Sequence, residues 1–305
     1  MKKYLLFVVS VCALLQSSAY TDERAGFTIT VNGELNPYRI FSTFVMPGSE
    51  VIISSTEAIT VKSTQLTVNS TSFNTRWRVI ASSKSGAYTV DVTNQSGKLI
   101  KVNVLTLTPL TQLKGEYLNG YRIGLYPEQP LRGNPIYNAP KGLFEVTPDN
   151  KDLMLTPHFS VRQFLCKQAG GFPKYVIVRE RLLLKLEYML ERVNEKGYAI
   201  ETFGFISGYR TPFYNKSIKN VQYSRHVYGG AADIFIDQNK DGSMDDLNKD
   251  GKIDEKDVRI FYDIVDNEYT KDRYSAFVGG LGFYRKNSNH NGFIHVDVRG
   301  SKARW

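Results

Sequence analysis

The first third of the chain consists of short segments in which β-branched and polar residues alternate. Between Phe27 and Leu107 these segments are separated by turn sequences such as NGE, PGSE, SKSG and NQSG. Alternation with a period of two gives a strand two distinct faces, and frequent turn signals keep the strands short. Residues 20–108 are therefore predicted to form a β-sandwich-like module. They contain no cluster of titratable residues, which favours a supporting or binding role.

The pattern changes after this module. Residues 109–155 are rich in Pro, Gly and Tyr, which is typical of a linker with a few short strands. Apolar periodicity then predicts helices in SVRQFLC, in VIVRERLLLKLEYMLERVNEKG and near residues 255–266. The strands predicted in the same region are residues 203–208, 231–237 and 292–298. Residues 156–305 are therefore predicted to be one α+β domain, and the whole chain an α+β protein.

The N-terminus has the pattern of an export signal. MKKYLLFVVSVCALLQSSA, residues 1–19, has a basic start, an apolar run and the small-residue cleavage site Ser17-Ser18-Ala19. The apolar run is too short to span a bilayer, and no later stretch is apolar enough to do so. The mature protein is therefore predicted to be exported, periplasmic or cell-wall associated, and to have no transmembrane segment.

Removal of the signal would leave Cys166 as the only cysteine. A disulfide within the chain and a thiolate zinc cluster are thereby excluded. Cys166 follows an apolar pair in FLCKQ, which favours a buried thiol over a catalytic nucleophile. The formal net charge of +9 favours an anionic partner such as a cell wall or a membrane surface, and export makes nucleic acid the least favoured partner. A basic surface with no particular partner is an equally good interpretation.

The stretch SRHVYGGAAD places His226 seven residues before Asp233. Asp233 lies in a predicted strand, His226 in the loop before it, and His295 in another predicted strand. Histidine and carboxylate side chains are ligands that zinc accepts, and three of them leave a fourth position open, as in catalytic zinc sites. The small residues 229–232 would let the backbone approach such a site closely. On the His–Asp spacing alone, a loop histidine near a surface carboxylate is the favoured alternative.

Several motifs in the second half of the chain carry a resemblance to a known family. They are SGYRTPFYN (207–215), SRHVYGGAADIFID (224–237) and GGLGFYRKNSNHNGFIHVDVRGSKARW (279–305), and the similarity extends to TPHFSVRQFLCKQ (156–168). Together they resemble the D-alanyl-D-alanine carboxypeptidase and murein endopeptidase family of zinc peptidases, over roughly residues 110–305. The resemblance implies a hedgehog-like fold with a central antiparallel sheet, zinc as cofactor, and hydrolysis of peptidoglycan peptide bonds that involve D-amino acids.

The resemblance also implies roles for individual residues. His226, Asp233 and His295 match the zinc ligands, and Arg210 in SGYR matches the group that polarises the scissile carbonyl and stabilises its oxyanion. A cationic donor aimed at developing negative charge is physically suited to that step. A murein endopeptidase is expected, because HVD and the terminal ARW are closest to that type. A D,D-carboxypeptidase and a non-catalytic cell-wall-binding zinc protein are the alternatives.

The general base departs from the family pattern. Many relatives carry Glu, Asp or His two or three residues before the last zinc histidine, whereas this chain has Gly and Phe at residues 292–293. Asp297 lies two residues beyond His295, so both side chains share one strand face. Asp297 is the slightly preferred base, with orientation of a ligand as its alternative role. His290 in KNSNHNG is the second candidate; if it is not used, it is expected to be a surface histidine, as is His158.

The segment DQNKDGSMDDLNKDGKIDEKD, residues 237–257, is rich in carboxylate and amide side chains. Oxygen ligands at loop positions 1, 3, 5 and 12, a carbonyl at 7 and Gly at 6 are typical of an EF-hand calcium loop. The better register is Asp246, Asn248, Asp250, Gly251, Lys252, Asp254 and Asp257. A weaker, overlapping register is Asp237, Asn239, Asp241, Gly242, Ser243 and Asp245. A structural calcium ion is therefore predicted as a second cofactor, with a solvated acidic loop as the alternative.

Overall fold

The structure is a computed structural model that describes residues 20–288 and 290–305. The predicted signal peptide, residues 1–19, lies outside the described residues. The described chain is mixed α+β, as predicted, and most of its regular structure is in sheets. Its buried apolar side chains form two clusters, which we call the N-terminal core and the C-terminal core. The first comes from residues 25–104 and one helical residue, and the second from residues 105–298.

Two sheets build the N-terminal region. Their strands are β1 (Arg24–Val31), β2 (Glu34–Tyr38), β3 (Ile40–Val45), β4 (Glu50–Ser54), β5 (Ile59–Lys62), β6 (Thr67–Ser72), β7 (Arg76–Ile80), β8 (Gly86–Asn94) and β9 (Leu99–Thr106). One sheet has the order β2-β1-β4-β7-β6 and the other β3-β9-β8-β5. In β1 the predicted alternation is present, because Phe27, Ile29 and Val31 are buried and the residues between them are only partly buried. Ile53 of the first sheet and Val102 of the second belong to the same core.

Residues 109–155 do more than connect the two regions. The strands of this part of the chain are β10 (Thr108–Pro109), β11 (Tyr117–Leu118), β12 (Tyr121–Arg122), β13 (Gly142–Val146), β14 (Met154–Thr156), β15 (Phe159–Ser160) and β16 (Lys174–Val176). β13 pairs with both β10 and β16. Leu118, Ile123 and Phe144 are fully buried in the C-terminal core. The predicted linker therefore has the short strands expected of it and also supplies core residues.

A five-stranded sheet organises the C-terminal region. Its strands are β17 (Gly204–Ser207), β18 (Ala231–Phe235), β19 (Gly280–Tyr284), β20 (Phe293–Asp297) and β21 (Ala303–Arg304). The order is β17-β18-β20-β19-β21, and all neighbours are antiparallel except β19 and β21. Every residue of β18 and β20 is buried, so both faces of this central pair are covered. The strands predicted at residues 203–208, 231–237 and 292–298 are confirmed.

Four α-helices accompany these sheets in the part of the chain that the structure describes. They are α1 (Val161–Phe164), α2 (Glu180–Glu195), α3 (Pro212–Ser217) and α4 (Glu255–Asp266). The three predicted helices are confirmed as α1, α2 and α4. Helix α2 lies between the two cores, because Leu183 and Leu186 pack in the C-terminal core and Leu184 packs in the N-terminal core. No helix within residues 20–288 and 290–305 has the length and apolarity needed to cross a membrane.

Part-buried ionic and hydrogen-bonding contacts attach the N-terminal sheets to helix α2. Glu191 accepts two hydrogen bonds from Arg24, at 2.9 and 2.8 Å, and a third from the Tyr38 hydroxyl at 3.0 Å. Glu180 accepts the backbone N–H of Phe44 at 2.9 Å. A buried carboxylate is costly unless donors surround it, so these contacts are strongly specified. They hold the N-terminal sheets and the helix in one arrangement.

Candidate metal centre

Asp233 and His295 come from the two central strands of the C-terminal sheet. They are direct partners in the antiparallel register of β18 and β20. Residues directly opposite each other project from the same face of a sheet. His295 Nδ1 accordingly lies 2.8 Å from Asp233 Oδ1. Two residues that are 62 positions apart are thus fixed side by side by strand pairing alone.

His226 reaches the same point from a tight turn. It belongs to a 3₁₀ turn, Arg225–Tyr228, that ends at Gly229 with φ of 65°. A side chain at Gly229 would collide with the backbone of Ile177, so this left-handed turn requires glycine. The turn places His226 Nε2 3.1 Å from Asp233 Oδ1 and 3.2 Å from His295 Nδ1. The tight turn therefore accounts for both the predicted loop position of His226 and the small residues that follow it.

The three side chains could hold a metal ion. Among the described residues, only His226, Asp233 and His295 form a group of three histidine, cysteine or acidic side chains whose ligand atoms all lie within 4.8 Å of one another. They are 2%, 4% and 7% exposed, which removes competing water from the ligand atoms. Two atoms that each lie about 2.1 Å from a tetrahedral zinc ion are about 3.4 Å apart. The observed separations are close to that spacing, although they do not identify the ion.

A second layer of polar groups fixes two of these ligands. His226 Nδ1 lies 2.6 Å from the carbonyl oxygen of Gly208, which can only accept, so Nε2 carries the lone pair that a metal needs. The Asp233 oxygen Oδ2 pairs with Arg210 Nη2 at 2.5 Å, and Arg210 Nε donates to Ser207 Oγ at 2.7 Å. Arg210 therefore lies at the centre, as predicted, and orients the carboxylate ligand.

Asp297 lies behind His295 rather than in front of it. Its Oδ2 is 3.4 Å from His295 Nε2, whereas the Nδ1 atom of the same ring faces Asp233. Arg299 binds both Asp297 oxygens, and the backbone N–H of Gly280 donates to Oδ1 at 2.8 Å. A fully buried carboxylate with these partners is occupied in orienting the imidazole. This geometry favours the orienting role over the preferred one as base, because a base must face the reacting proton.

Electrostatics match a cation-binding pocket. Burial lowers the pKa of His226, which keeps its imidazole neutral and able to bind a metal. Burial also acts to lower the pKa of His295, but hydrogen bonds to Asp233 and Asp297 outweigh it and raise this pKa. Burial would raise the pKa of Asp233, yet the two imidazoles reverse the effect and hold it well below its usual range. Asp233 is therefore a permanent anion.

A cleft of about 560 Å³ opens beside the three ligands. Arg210 and His290 line it, as predicted for residues at the site. His290 is half-buried; its Nε2 lies 2.9 Å from the amide nitrogen of Asn287, and its Nδ1 lies 2.8 Å from the carbonyl oxygen of Asn291. Among the described residues that line the cleft, His290 is the only histidine outside the ligand set.

The walls of the cleft include residues that sequence reasoning did not single out. The Trp305 ring lies 5.2 Å from His295, and its indole N–H donates to the Tyr284 hydroxyl at 2.8 Å. Tyr137 and Tyr223 pack edge to face on the other wall. Trp305 stands in the terminal ARW of the family resemblance, which is the one signal that could have indicated it. Tyr137 lies in the predicted linker and carried no signal.

The acidic insert forms two loops of the same geometry. In the first, Asp237 accepts the backbone N–H groups of Asp241 and Gly242 at 3.0 Å each. In the second, Asp246 accepts those of Asp250 and Gly251, at 3.2 and 2.7 Å. Both loops thus fold so that the side chains of the two predicted registers point inward, and their carboxylates are used by their own backbone.

The last position of the better register has a further role. Asp257 is fully buried and accepts the backbone N–H groups of Leu247 at 2.8 Å and Asp254 at 2.8 Å. Asp254 in turn caps helix α4 by accepting from Lys256 N at 2.8 Å. These two side chains join the insert to the helix, a capping role that the sequence pattern S/T/D-x-x-D/E allows.

Two further predictions concern residues away from the centre. Cys166 is buried, as expected, and burial raises the pKa of its thiol, which is the opposite of what a nucleophile needs.

The expectation of a surface position for His158 is wrong. Its Nδ1 pairs with the buried Glu187 at 2.7 Å, and its ring stacks on Tyr20. A histidine in an otherwise polar stretch gave no sign of this carboxylate, which comes from helix α2.

Comparisons of the chain with protein-family models, with curated proteins and with solved structures find no match.

Proposed function

We propose that the chain is an exported, zinc-dependent peptidase that hydrolyses peptidoglycan peptide bonds involving D-amino acids. The observation that carries the proposal is the convergence of His226, Asp233 and His295, with ligand atoms 2.8–3.2 Å apart, at the base of an accessible cleft. The resemblance of the surrounding motifs to the zinc carboxypeptidase and endopeptidase family supports the substrate class. In this proposal residues 156–305 are the peptidase domain with a hedgehog-like fold, and residues 20–108 are a β-sandwich-like supporting module.

Zinc fits the donor set of two imidazoles and one carboxylate, which leaves a fourth position open. When bound, such an ion supplies a nucleophile at neutral pH and polarises a carbonyl. The chain's own residues do the remaining work. Arg210 holds Asp233 and lines the cleft, so its guanidinium can donate to the substrate carbonyl oxygen as negative charge develops there. Asp297 orients the His295 ring so that its Nδ1 atom faces Asp233 and would be available to the ion.

His290 is the proposed proton carrier. It lines the cleft, its side chain makes only local hydrogen bonds, and it lies outside the ligand set. In the proposed step it accepts a proton from the attacking water and returns it to the amine that leaves when the C–N bond breaks. Asp297 is less suited to this step because it lies on the far side of the His295 ring and does not line the cleft.

The test combines metal analysis with product analysis. Purified muropeptides are incubated with the wild type, with His226→Ala and with His290→Gln, and the products are identified by mass spectrometry. We expect cleavage by the wild type, none by His226→Ala, and a loss of about 10²–10⁴-fold in kcat for His290→Gln with zinc retained. A zinc-loaded wild type that binds peptidoglycan but releases no product would overturn the enzymatic proposal.

A murein endopeptidase is the favoured activity, and the same experiment separates it from its alternatives. Release of single terminal D-alanine residues would instead identify a D,D-carboxypeptidase. A non-catalytic cell-wall-binding zinc protein is favoured by one observation, the Gly and Phe at residues 292–293 where relatives carry a base. Whether His290 supplies the missing base therefore decides between a peptidase and a non-catalytic protein.

We also propose that calcium occupies the acidic insert as a structural ion. Support comes from the two similar loops, in which Gly242 and Gly251 adopt φ of 81° and 83° at the position where an EF-hand requires glycine. The ion would neutralise carboxylates such as Asp237 and Asp246, which accept from backbone N–H groups of their own loops. The acidic loop without an ion remains the alternative, and thermal unfolding with and without calcium distinguishes the two.

A further inference from the structure

Exposed apolar side chains concentrate around the metal cleft. Among the described residues, ten large apolar side chains are exposed, and half of them line three neighbouring cavities. These five are Tyr117, Leu125, Phe172, Val221 and Trp305, with 40–70% of their surface exposed. A soluble surface rarely gathers such residues without a partner to cover them. The concentration marks a binding surface larger than the metal cleft itself.

The three cavities are neighbours on the surface. The metal cleft shares Asn220 with a second cavity of about 810 Å³. That cavity shares Arg122 and Phe213 with a third cavity of about 690 Å³. We call the second and third cavities the distal groove. A substrate that enters the metal cleft can therefore extend along the surface past helix α3 and into the distal groove.

The distal groove is cationic. Lys216 and Lys219 are exposed in it and form no ion pair within the described residues. Arg122 pairs with Glu116 at 2.6 Å, and Glu116 is the only acidic side chain lining the groove. Unpaired surface cations of this kind attract an anionic ligand and disfavour a cationic one.

The far end of the distal groove combines rings with an amide. The exposed rings of Tyr117 and Phe172 lie in the same cavity as the exposed amide of Asn119, whose nitrogen donates to Glu145 and Tyr175. The face of an aromatic ring carries partial negative charge, which suits the polarised C–H groups on the face of a sugar. The amide oxygen of Asn119 can accept a hydrogen bond from a sugar hydroxyl group. This mixture fits a carbohydrate better than a purely apolar ligand.

From these observations we infer that the distal groove binds the glycan and adjoining acidic peptide of the strand whose peptide bond is cut, so that the substrate is a polymeric anionic glycopeptide rather than a free peptide. The inference rests on the proposed function, because it uses the metal cleft as the point where cleavage occurs. It adds a second contact region that selects long substrates over short ones.

The test measures binding and cleavage separately. Two probes are used, soluble glycan oligomers that carry stem peptides and the same stem peptide without sugars. Binding is measured with the full mature chain as His226→Ala, and again with wild type treated with a zinc chelator in case the variant does not fold. We expect the glycopeptide oligomer to bind at least about tenfold more tightly than the free peptide, and less tightly as salt increases.

The groove variant is Phe172→Ser combined with Lys216→Gln and Lys219→Gln. Its matched control is Leu35→Ser combined with Lys62→Gln and Lys84→Gln, which changes the same kinds of exposed residue on the N-terminal sheets. We expect the groove variant to lose the preference for the oligomer, whereas the control keeps it. In the zinc enzyme, kcat/KM should fall by a larger factor for the oligomer than for the free peptide.

The possible outcomes separate this inference from the proposed function. Equal affinity for the two probes, or equal behaviour of the groove variant and its control, overturns the inference even if cleavage is observed. Length-dependent binding that the groove variant abolishes, without cleavage of either probe by the zinc-loaded wild type, overturns the peptidase and retains the groove. Groove-dependent binding to anionic phospholipid vesicles with no preference for the glycopeptide would assign the surface to a membrane and overturn the inference.

Discussion

The metal centre and the acidic insert both concentrate carboxylates, but their surroundings shift the pKa of Asp233 and the pKa of Asp245 in opposite directions. At the centre, two imidazoles outweigh burial and lower the pKa of Asp233. In the insert, burial raises the pKa of Asp245, and the neighbouring Asp237 and Asp241 add to the effect. Lys256 relieves the repulsion at Asp250, with which it pairs at 3.1 Å. If the calcium proposal holds, the ion would relieve the repulsion at Asp245.

The two sites are also held in position by different kinds of contact. The ligands of the centre are held by strand register, by a glycine turn and by partners such as Arg210, so their geometry does not depend on an ion. The loops of the insert are held mainly by their own backbone N–H groups. We therefore expect metal loss to affect activity at the centre and stability at the insert.

The sharpest test of this comparison is the same substitution at both sites. Asp233→Asn removes one of three convergent ligands, and we expect zinc affinity to fall by more than about 100-fold, since even substitution of outer partners costs 10–100-fold. Asp246→Asn should leave zinc affinity unchanged. Competition titration with a zinc-binding dye measures both variants. Similar zinc loss in the two proteins would show that the insert, not only the centre, controls zinc.

A smaller effect is expected from the orienting carboxylate. Asp297→Asn keeps the shape of the side chain but removes the charge that binds Arg299 and faces His295 Nε2. We expect zinc affinity to fall roughly 10–100-fold while the zinc-saturated enzyme keeps the pH profile of the wild type. If Asp297 were the base, the zinc-saturated variant would instead lose the acidic limb of its kcat profile, because that limb reports protonation of the base; steady-state kinetics at saturating zinc would reveal this.

Calcium should act on stability alone. At about 100 times its dissociation constant, an ion that binds only the folded chain adds about 2.7 kcal/mol to the free energy of unfolding. A chain of this size should then gain roughly 5–10 °C in Tm. Differential scanning calorimetry with calcium, and with a calcium-selective chelator, measures this. Combined Asp246→Asn and Asp250→Asn is the control that should not respond, and an unchanged wild-type Tm contradicts the calcium proposal.

The smallest expected effect concerns a buried lysine beneath strand β20. Lys185 Nζ donates to the carbonyl oxygen of Asp297 at 2.8 Å, and burial lowers its pKa to about 7. An unfolded lysine titrates near pH 10.4. Between these values the unfolded chain binds a proton that the folded chain does not, so the free energy of unfolding should rise with pH. Lys185→Met should lose this rise, which urea unfolding between about pH 7 and pH 9 measures. Parallel pH dependence in both proteins would contradict the low pKa.

Strand-level features of the site were predictable because they depend on local pattern. Apolar runs flanking Asp233 and His295 indicate buried strands, and the glycines after His226 indicate a tight turn. Cross-strand register was not predictable, and it is register that brings Asp233 opposite His295. Asp297 shows the same limit. The strand period places it on the same face as His295, but only the positions of Arg299 and Gly280 show that its oxygens are already used.

Tertiary partners account for what sequence reasoning missed. His158 was expected at the surface, and a buried carboxylate on α2, Glu187, holds it in the interior. The composition of residues 109–155 gave no sign that Leu118 and Phe144 enter the C-terminal core. The distal groove likewise assembles side chains that are distant in the chain, such as Tyr117, Phe172 and Lys216. No local pattern records such assemblies, because they depend on how elements pack.

Helix α2 limits how the N-terminal sheets can move relative to the rest of the chain. Leu184 and the partners of Glu191 tie those sheets to the same helix that packs in the C-terminal core. A module attached in this way cannot pivot freely, unlike one on a flexible tether. If those sheets bind a polymer network, they also set how far the metal cleft lies from that network and in which direction it faces. The fixed arrangement of the two regions would then determine which polymer strands the cleft can reach, before any bond is cut.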